Sequence, residues 1–267
     1  MQKIILFWII AVILTVASAL FQRMTGPTYP LSGKITLDGK EIEYKFIRSH
    51  STSEDCKVEI AVNDSLVTGV LFWRKYKFDK EYKRVEMTGS DTLKAYLPKQ
   101  PSAGKLEYYV ELYKENRIID APKDRAVVIR FKDDVPLWLL IPHVIFMFAA
   151  MLLSSRTGLE YFNKEPNFKK LTAWSIVVLL IGGFIFGPLV QLYAFGALWT
   201  GFPFGYDLTD NKTLIAALVW IFAWYKIKKM ANPKIWVLIA AIVMLIIFLI
   251  PHSVLGSELD YSKLENQ

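Results

Sequence analysis

The stretch LWLLIPHVIFMFAAMLL, residues 137–153, decides the fold, because it contains seventeen residues without a charged side chain. A helix rises ~1.5 Å per residue, so such a run approaches the ~30 Å thickness of the bilayer hydrocarbon. Three further apolar runs follow, at residues 171–195, 214–225 and 235–250. The pattern predicts a membrane α-helical domain of four transmembrane helices over residues 136–253.

The composition divides the chain into apolar segments and one polar, charged segment. Hydrophobic residues make up 53% of the sequence, which is more than one soluble core requires. Residues 31–134, in contrast, have the mixed polar and charged composition of an ordinary domain. The net charge of +7 is carried largely by cations that flank apolar runs, so it indicates membrane topology and not a nucleic-acid partner. The single cysteine, Cys56, rules out an internal disulfide.

A fifth apolar run lies near the N-terminus, at residues 4–20 directly after Lys3. It has two interpretations. Residues 1–22 are either a retained anchor (a signal-anchor) or a cleaved signal peptide, since Ala17-Ser18-Ala19 has the form of a cleavage site. Both send the following segment across the membrane, so the prediction is a bundle of four or five transmembrane helices.

The basic residues predict the topology, because cytoplasmic loops of membrane proteins are rich in lysine and arginine. They cluster in two of the loops between the apolar runs: Arg156, Lys164, Lys169 and Lys170 in one, and Lys226, Lys228, Lys229 and Lys234 in the other. Placing both loops in the cytoplasm makes this a multi-pass protein. Residues 23–135, residues 196–213 and the C-terminal tail, residues 254–267, are then extracytoplasmic.

Short alternating segments characterise residues 23–135. Seven of them read as strands, at residues 34–37, 42–47, 57–62, 70–73, 93–97, 106–112 and 126–131. Asp38-Gly39 between the first two is a strong hairpin signal, because a primed turn needs residues that tolerate positive φ. Seven short strands in about 100 residues predict an inserted all-β sandwich domain of the immunoglobulin or fibronectin type.

The membrane histidines define the first candidate site. His143 and His252 are predicted at similar depth near the outer leaflet, and Met147 follows His143 by one helical turn. An imidazole and a thioether on one stripe could ligate haem or copper. The alternative is ordinary packing, with the methionine filling space and the histidine bonded to a backbone carbonyl.

Oxygen-bearing side chains on the same predicted face define the second candidate site. Asp207, Asp210 and Asn211 supply hard ligands within five residues, as calcium prefers, and Glu258 returns a carboxylate from the tail. The alternative is helix capping by Asp210 or Asn211. Five of the candidate side chains could also form an outward-facing polar pocket, namely His143, Asp207, Asp210, His252 and Glu258.

No motif in the sequence specifies a reaction, so the molecular activity and the question of whether this is an enzyme stay open. The leading prediction is a cell-envelope protein held in the lipid bilayer, whose outer β-sandwich binds or scaffolds a protein partner. One alternative is a membrane redox subunit with haem or copper at the histidines. Another is a small transporter or membrane enzyme.

Overall fold

The computed structural model describes residues 2–252, 254, 256 and 258–265. These residues form two compact units. The helical unit contains the N-terminal segment up to Pro27 and the chain from Val135 through the last apolar helix; the strand unit contains Thr28–Asp134 and the chain from Glu258. Residues 255, 257, 266 and 267 of the predicted tail lie outside the described part, as do Met1 and Ser253.

Six helices make up the described part of the helical unit: α1 (Gln2–Thr25), α2 (Leu137–Leu159), α3 (Phe168–Leu180), α4 (Gly187–Phe195), α5 (Leu208–Lys229) and α6 (Lys234–Leu249). A 3-10 turn, Glu160–Phe162, prolongs α2. Three continuous stretches among the described residues are long and apolar enough to cross a membrane, namely Gln2–Thr25, Leu137–Phe162 and Phe168–Phe195, and α6 is a shorter apolar helix. The chain therefore has a helical membrane segment.

A π-helical segment, Ile181–Phe186, joins α3 to α4. The Gly187 N–H donates to the Gly182 carbonyl, five residues back. Pro188 comes next and has no N–H, so a regular helix would lose a backbone bond here. The π-helical turn absorbs this irregularity without ending the helix.

Glycines allow close helix packing in this unit. A Cβ atom at Gly158 of α2 would lie 2.4 Å from the Ala241 Cβ of α6. A Cβ at Gly183 would lie 2.6 Å from the Thr213 Cγ2 of α5. Small residues at such crossings let helix backbones approach in a lipid environment, where dispersion contacts drive association.

Ten strands make up the described β structure: β1 (Leu31–Leu37), β2 (Lys40–Phe46), β3 (Ser49–Ser51), β4 (Cys56–Ala61), β5 (Thr68–Lys75), β6 (Lys83–Glu86), β7 (Thr92–Leu97), β8 (Lys105–Lys114), β9 (Arg117–Ala121) and β10 (Val127–Lys132). All seven predicted strands are present, and β3, β6 and β9 are additional. The β1–β2 turn has the predicted geometry, with φ of 53° at Asp38 and 76° at Gly39.

The strands form three sheets. The largest has the order β3-β10-β8-β5-β6, with β9 also paired to β8, and two smaller sheets are the pairs β1-β2 and β4-β7. All the pairs are antiparallel except β3 with β10, which is parallel. Alternate residues of β4 and β8 point into one shared hydrophobic core, as strands buried on a single face require.

The C-terminal segment packs within the strand unit. Helix α7 (Tyr261–Glu265) begins with a buried tyrosine whose hydroxyl donates to Lys105 O at 3.1 Å and accepts from Lys105 N at 3.0 Å. The backbone N–H of Leu259 donates to Ala103 O at 3.2 Å. Burial raises the pKa of Tyr261 to about 12, so its hydroxyl stays protonated and able to donate.

Candidate functional site

The residues of the second candidate site lie at the start of α5. Asp207 is the N-cap of this helix, and its carboxylate accepts the Thr209 N–H at 2.8 Å. The first amides of a helix have no intrahelical acceptor, and a negative charge at this end is favoured by the helix dipole. The cap lies one helical turn before Asp210 and Asn211, so the prediction that one of these two residues caps the helix is wrong.

Asp210 and Asn211 instead hold the loop that precedes the helix. The buried Asp210 Oδ2 accepts the N–H groups of Thr200 at 2.6 Å and Gly201 at 3.0 Å. Asn211 Oδ1 accepts the Phe202 N–H at 2.7 Å. A Cβ at Gly201 would lie 2.6 Å from the Asp210 Cβ, so the close approach requires glycine. Both side-chain oxygen atoms thus accept backbone N–H groups of residues 200–202, and these hydrogen bonds hold the loop before α5 in its turn.

Glu258, the fourth predicted ligand, belongs to the strand unit. Its carboxylate forms ion pairs with Lys105 at 2.6 Å and Lys77 at 3.3 Å. Partial burial alone would raise its pKa, but the hydrogen bonds and charges of the two lysines outweigh this and lower it. Within the described residues, no group of three or more histidine, cysteine, aspartate or glutamate side chains is arranged to hold a metal ion.

The membrane histidine His143 is bonded to the π-helical segment. Its Nδ1 lies 2.9 Å from the Gly182 carbonyl oxygen. A carbonyl only accepts, so Nδ1 carries a proton and donates it in this bond. Met147 packs at the same point, because a Cβ at Gly182 would lie 3.0 Å from its Sδ. His143 and Met147 thus lie on one face of α2.

A buried lysine that the sequence analysis overlooked lies near the second histidine. Lys212 of α5 donates to the Ile250 carbonyl just beyond α6 at 2.6 Å, and Gln22 of α1 donates to the same oxygen at 3.0 Å. His252, His143, Asp207 and Asp210 all belong to the helical unit. Four of the five residues of the predicted polar pocket are therefore in the helical unit, and Glu258 is not.

The opposite, lysine-rich end of the helical unit contains an ion pair that sequence reasoning also missed. Arg156 and Glu160 are paired with side chains only 5% and 2% exposed. Glu160 also accepts the Asn163 side-chain N–H at 3.0 Å and the Asn167 backbone N–H at 2.8 Å. The Arg156 guanidinium lies 5.5 Å from the ring centres of both Phe7 and Trp8 of α1. The sequence did contain a signal for this ion pair, because Glu160 follows Arg156 by four residues and residues at this spacing are neighbours on a helix.

The strand unit carries an aromatic and charged face on β5 and β8. Phe72 and Tyr109 are cross-strand neighbours whose rings stack at 5.0 Å, and Tyr82 meets Tyr109 edge-on at 5.2 Å. Arg74 lies 4.4 Å from the Tyr82 ring centre and donates to Glu107 at 2.7 Å. All five side chains are partly exposed. We call them the aromatic face.

Cys56 does not belong to any candidate site. It is fully buried in the strand-unit core, and burial raises the pKa of its thiol to about 12. The reactive thiolate is therefore absent at neutral pH.

No protein-family model matches this chain, and no curated protein is similar to it.

Proposed function

We propose that this chain is a multi-pass membrane protein of the cell envelope, and that its strand unit recognises a protein partner outside the cytoplasm. The helical unit anchors the strand unit through five crossings, made by α1, α2, the stretch from α3 to α4, α5 and α6. The aromatic face is the recognition surface.

Chain connectivity supports this number of crossings. Glu258 and Tyr261, which follow α6, pack within the strand unit that precedes α2. This packing supports a chain that returns to the side of the membrane on which the strand unit lies, and thus an even number of crossings from α2 to α6. Helix α5 has 22 residues and ends in Lys226, Lys228 and Lys229, so at ~1.5 Å per residue it is long enough to cross. Positive charge at that end favours the cytoplasmic side.

Packing of α1 supports the anchor interpretation over the cleaved signal peptide. Ala11, Thr15 and Ser18 are buried in the helical unit. Gln22 donates to the carbonyls of Phe248 at 2.7 Å and Ile250 at 3.0 Å. Removal of α1 would expose these groups, so we propose that it remains part of the bundle as a signal-anchor.

Strand pairing supports an immunoglobulin-like sandwich. In that fold, strands C, F and G form one sheet, and strands B and E pair in the other. Here β5, β8 and β10 are neighbours in the order C-F-G, and β4 pairs with β7 as B does with E. The β1-β2 hairpin and β9 are additions to this pattern. The inter-sheet disulfide of antibody domains is absent, since Cys56 is the only cysteine.

The residue composition of the aromatic face is the main support for partner recognition by the strand unit. Tyrosine, phenylalanine and arginine are enriched at protein interfaces, where they contribute much of the binding energy. Here Arg74 is already held between Tyr82 and Glu107, so little side-chain entropy would be lost on binding. A protein surface with acidic and aromatic groups would match the partly exposed Arg74 and the exposed Arg84, which pairs with Phe72 across β5 and β6.

In the helical unit, by contrast, the charged groups described above are engaged internally. Asp210 is bonded to the loop, Lys212 to the Ile250 carbonyl, and Arg156 to Glu160. Such bonding favours a rigid anchor over a unit that binds and releases a polar substrate.

Site-specific photo-crosslinking in living cells tests the proposal. A benzophenone amino acid at Tyr82 should give a discrete adduct with one protein, and Tyr109→Ala in the same chain should remove it. The control position is Tyr96 of β7, which is 55% exposed on a different sheet. Absence of an adduct from Tyr82, or the same adduct from Tyr96, would overturn the assignment of this face.

The redox alternative has one supporting observation. Metal-binding histidines commonly donate one ring N–H to a carbonyl and bind the metal through the other nitrogen. His143 has this arrangement toward Gly182. A Soret band or stoichiometric copper in purified protein, lost in His143→Ala, would favour this function. A colourless, copper-free protein would remove it.

A further inference from the structure

A cavity of about 300 Å³ lies at the lysine-rich end of the helical unit. It is lined by Tyr161 of the 3-10 turn, Asn232 of the loop before α6, and Lys234 and Ile235 at the start of α6. The lining thus combines an ammonium group, a phenol and a side-chain amide with one aliphatic side chain. This set of donors suits an oxyanion.

The wall of the cavity is held by the buried ion pair. Lys234 Nζ donates to the Asn163 carbonyl at 3.2 Å, and the Asn163 side chain donates to Glu160 at 3.0 Å. Glu160 is in turn fixed by Arg156. An ammonium group has three N–H donors, and the bond to Asn163 uses one of them. Lys234 is therefore positioned and can still donate to a ligand in the cavity.

The charge around the cavity is strongly positive. The two loops at this end, residues 156–170 and 226–234, contain eight lysines and arginines against two glutamates, a surplus of six positive charges. Basic clusters beside transmembrane helices attract anionic lipids, and pockets between the helices can bind their headgroups. One of these cations, Lys234, lines the cavity itself, so an anion is the favoured occupant.

The apolar surroundings distinguish a lipid from a free anion. Ile235, which lines the cavity, is 48% exposed. Phe162 and Met230, close in sequence to the lining residues Tyr161 and Asn232, are 63% and 43% exposed. Exposed aliphatic and aromatic groups at a membrane boundary can cover the glycerol and upper acyl chain of a lipid. A small soluble anion would leave this surface unused.

We propose that this cavity binds the headgroup phosphate of an anionic phospholipid. Lys234 carries the charge, Tyr161 and Asn232 donate hydrogen bonds, and Ile235 contacts the lipid backbone. The site would fasten the 3-10 turn to the start of α6 at the bilayer surface. It is independent of the aromatic face and of any partner bound there.

Native mass spectrometry of the full-length protein in detergent tests the proposal. Titration with phosphatidylglycerol should give one tightly retained lipid, and phosphatidylcholine should be retained at least about tenfold less tightly. Lys234→Gln should weaken phosphatidylglycerol binding about tenfold, because a charge-assisted hydrogen bond is lost. Lys234→Arg should preserve binding.

The matched control is Lys229→Gln, which removes one exposed charge at the same end of the unit but does not line the cavity. It should change the affinity less than about twofold. Asn232→Ala provides a second variant outside the Glu160 network and should also weaken binding. Equal effects of the Lys234→Gln and Lys229→Gln variants, with both proteins equally stable, would overturn the site.

A third experiment distinguishes a lipid headgroup from free inorganic phosphate as the occupant of the cavity. Inorganic phosphate at millimolar concentration should neither displace the retained lipid nor raise the unfolding temperature. If it protects the native protein and not the Lys234→Gln variant, the cavity takes free phosphate, and the lipid assignment is wrong.

Discussion

Neutralising Glu160 should destabilise the helical unit strongly. Its carboxylate is 2% exposed and accepts bonds from Arg156, Asn163 and Asn167. Removing one partner of a buried pair leaves an uncompensated charge and typically costs about 3–5 kcal/mol. Glu160→Gln keeps the shape and one acceptor, so we expect about 3 kcal/mol. At ~2–4 °C per kcal/mol for a domain of this size, the unfolding temperature should fall by roughly 6–12 °C.

The assay is thermal unfolding of the full-length protein in detergent, followed by tryptophan fluorescence. Glu165→Gln is the control, since Glu165 lies in the same loop but is exposed, and it should change stability by no more than about 0.5 kcal/mol. The double variant Arg156→Gln, Glu160→Gln removes both charges and should be more stable than the Glu160→Gln single variant. A double variant at least as unstable as the single one, or a single-variant shift below about 2 °C, would refute this reasoning.

Three further outcomes are expected. Asp207→Ala removes the N-cap of α5 and should cost about 1 kcal/mol in the same unfolding assay, whereas Asp207→Asn should cost less. Glu258 has a lowered pKa, so its ion pair with Lys105 stabilises the packed C-terminal segment fully above the ordinary pKa of 4.5. This stabilisation is lost as the pH falls through the lowered pKa. Hydrogen exchange near Tyr261 should accelerate only in that acidic range, and Glu258→Gln should remove the pH effect. Cys56 should resist thiol reagents in the folded protein and react after unfolding, because its thiol is buried with a pKa of about 12; rapid reaction of the native protein would contradict its burial.

The strands that could be predicted from the sequence are those in which apolar and polar residues alternate. Residues of β4 alternate between buried and exposed positions, and so the period of two was visible in the sequence. Strands β3, β6 and β9 have three to five residues with little or no buried alternation, so nothing local marked them. Their pairing depends on β10, β5 and β8, which are neighbours only in the folded chain.

The candidate sites were less predictable because their bonds are long-range. Lys212 looks like a loop residue in the sequence, yet it is buried and its ammonium donates to a carbonyl 38 positions away. Glu258 pairs with Lys105, 153 positions away in the strand unit, and no local pattern indicates this partner. For Asp207, Asp210 and Asn211, only the fold shows which backbone amides each side chain accepts. Metal binding by this set and by the histidines stays a prediction.

The central claim is that the strand unit and the loop before α5 lie outside the cytoplasm, with the lysine-rich end inside. The buried Cys56 gives an unreactive background, so single cysteines can be introduced at Tyr206, which is 92% exposed, and at the exposed Lys228. A membrane-impermeant maleimide applied to intact cells should label Tyr206→Cys at once and Lys228→Cys only after permeabilisation. Labelling of Lys228→Cys in intact cells would contradict the account.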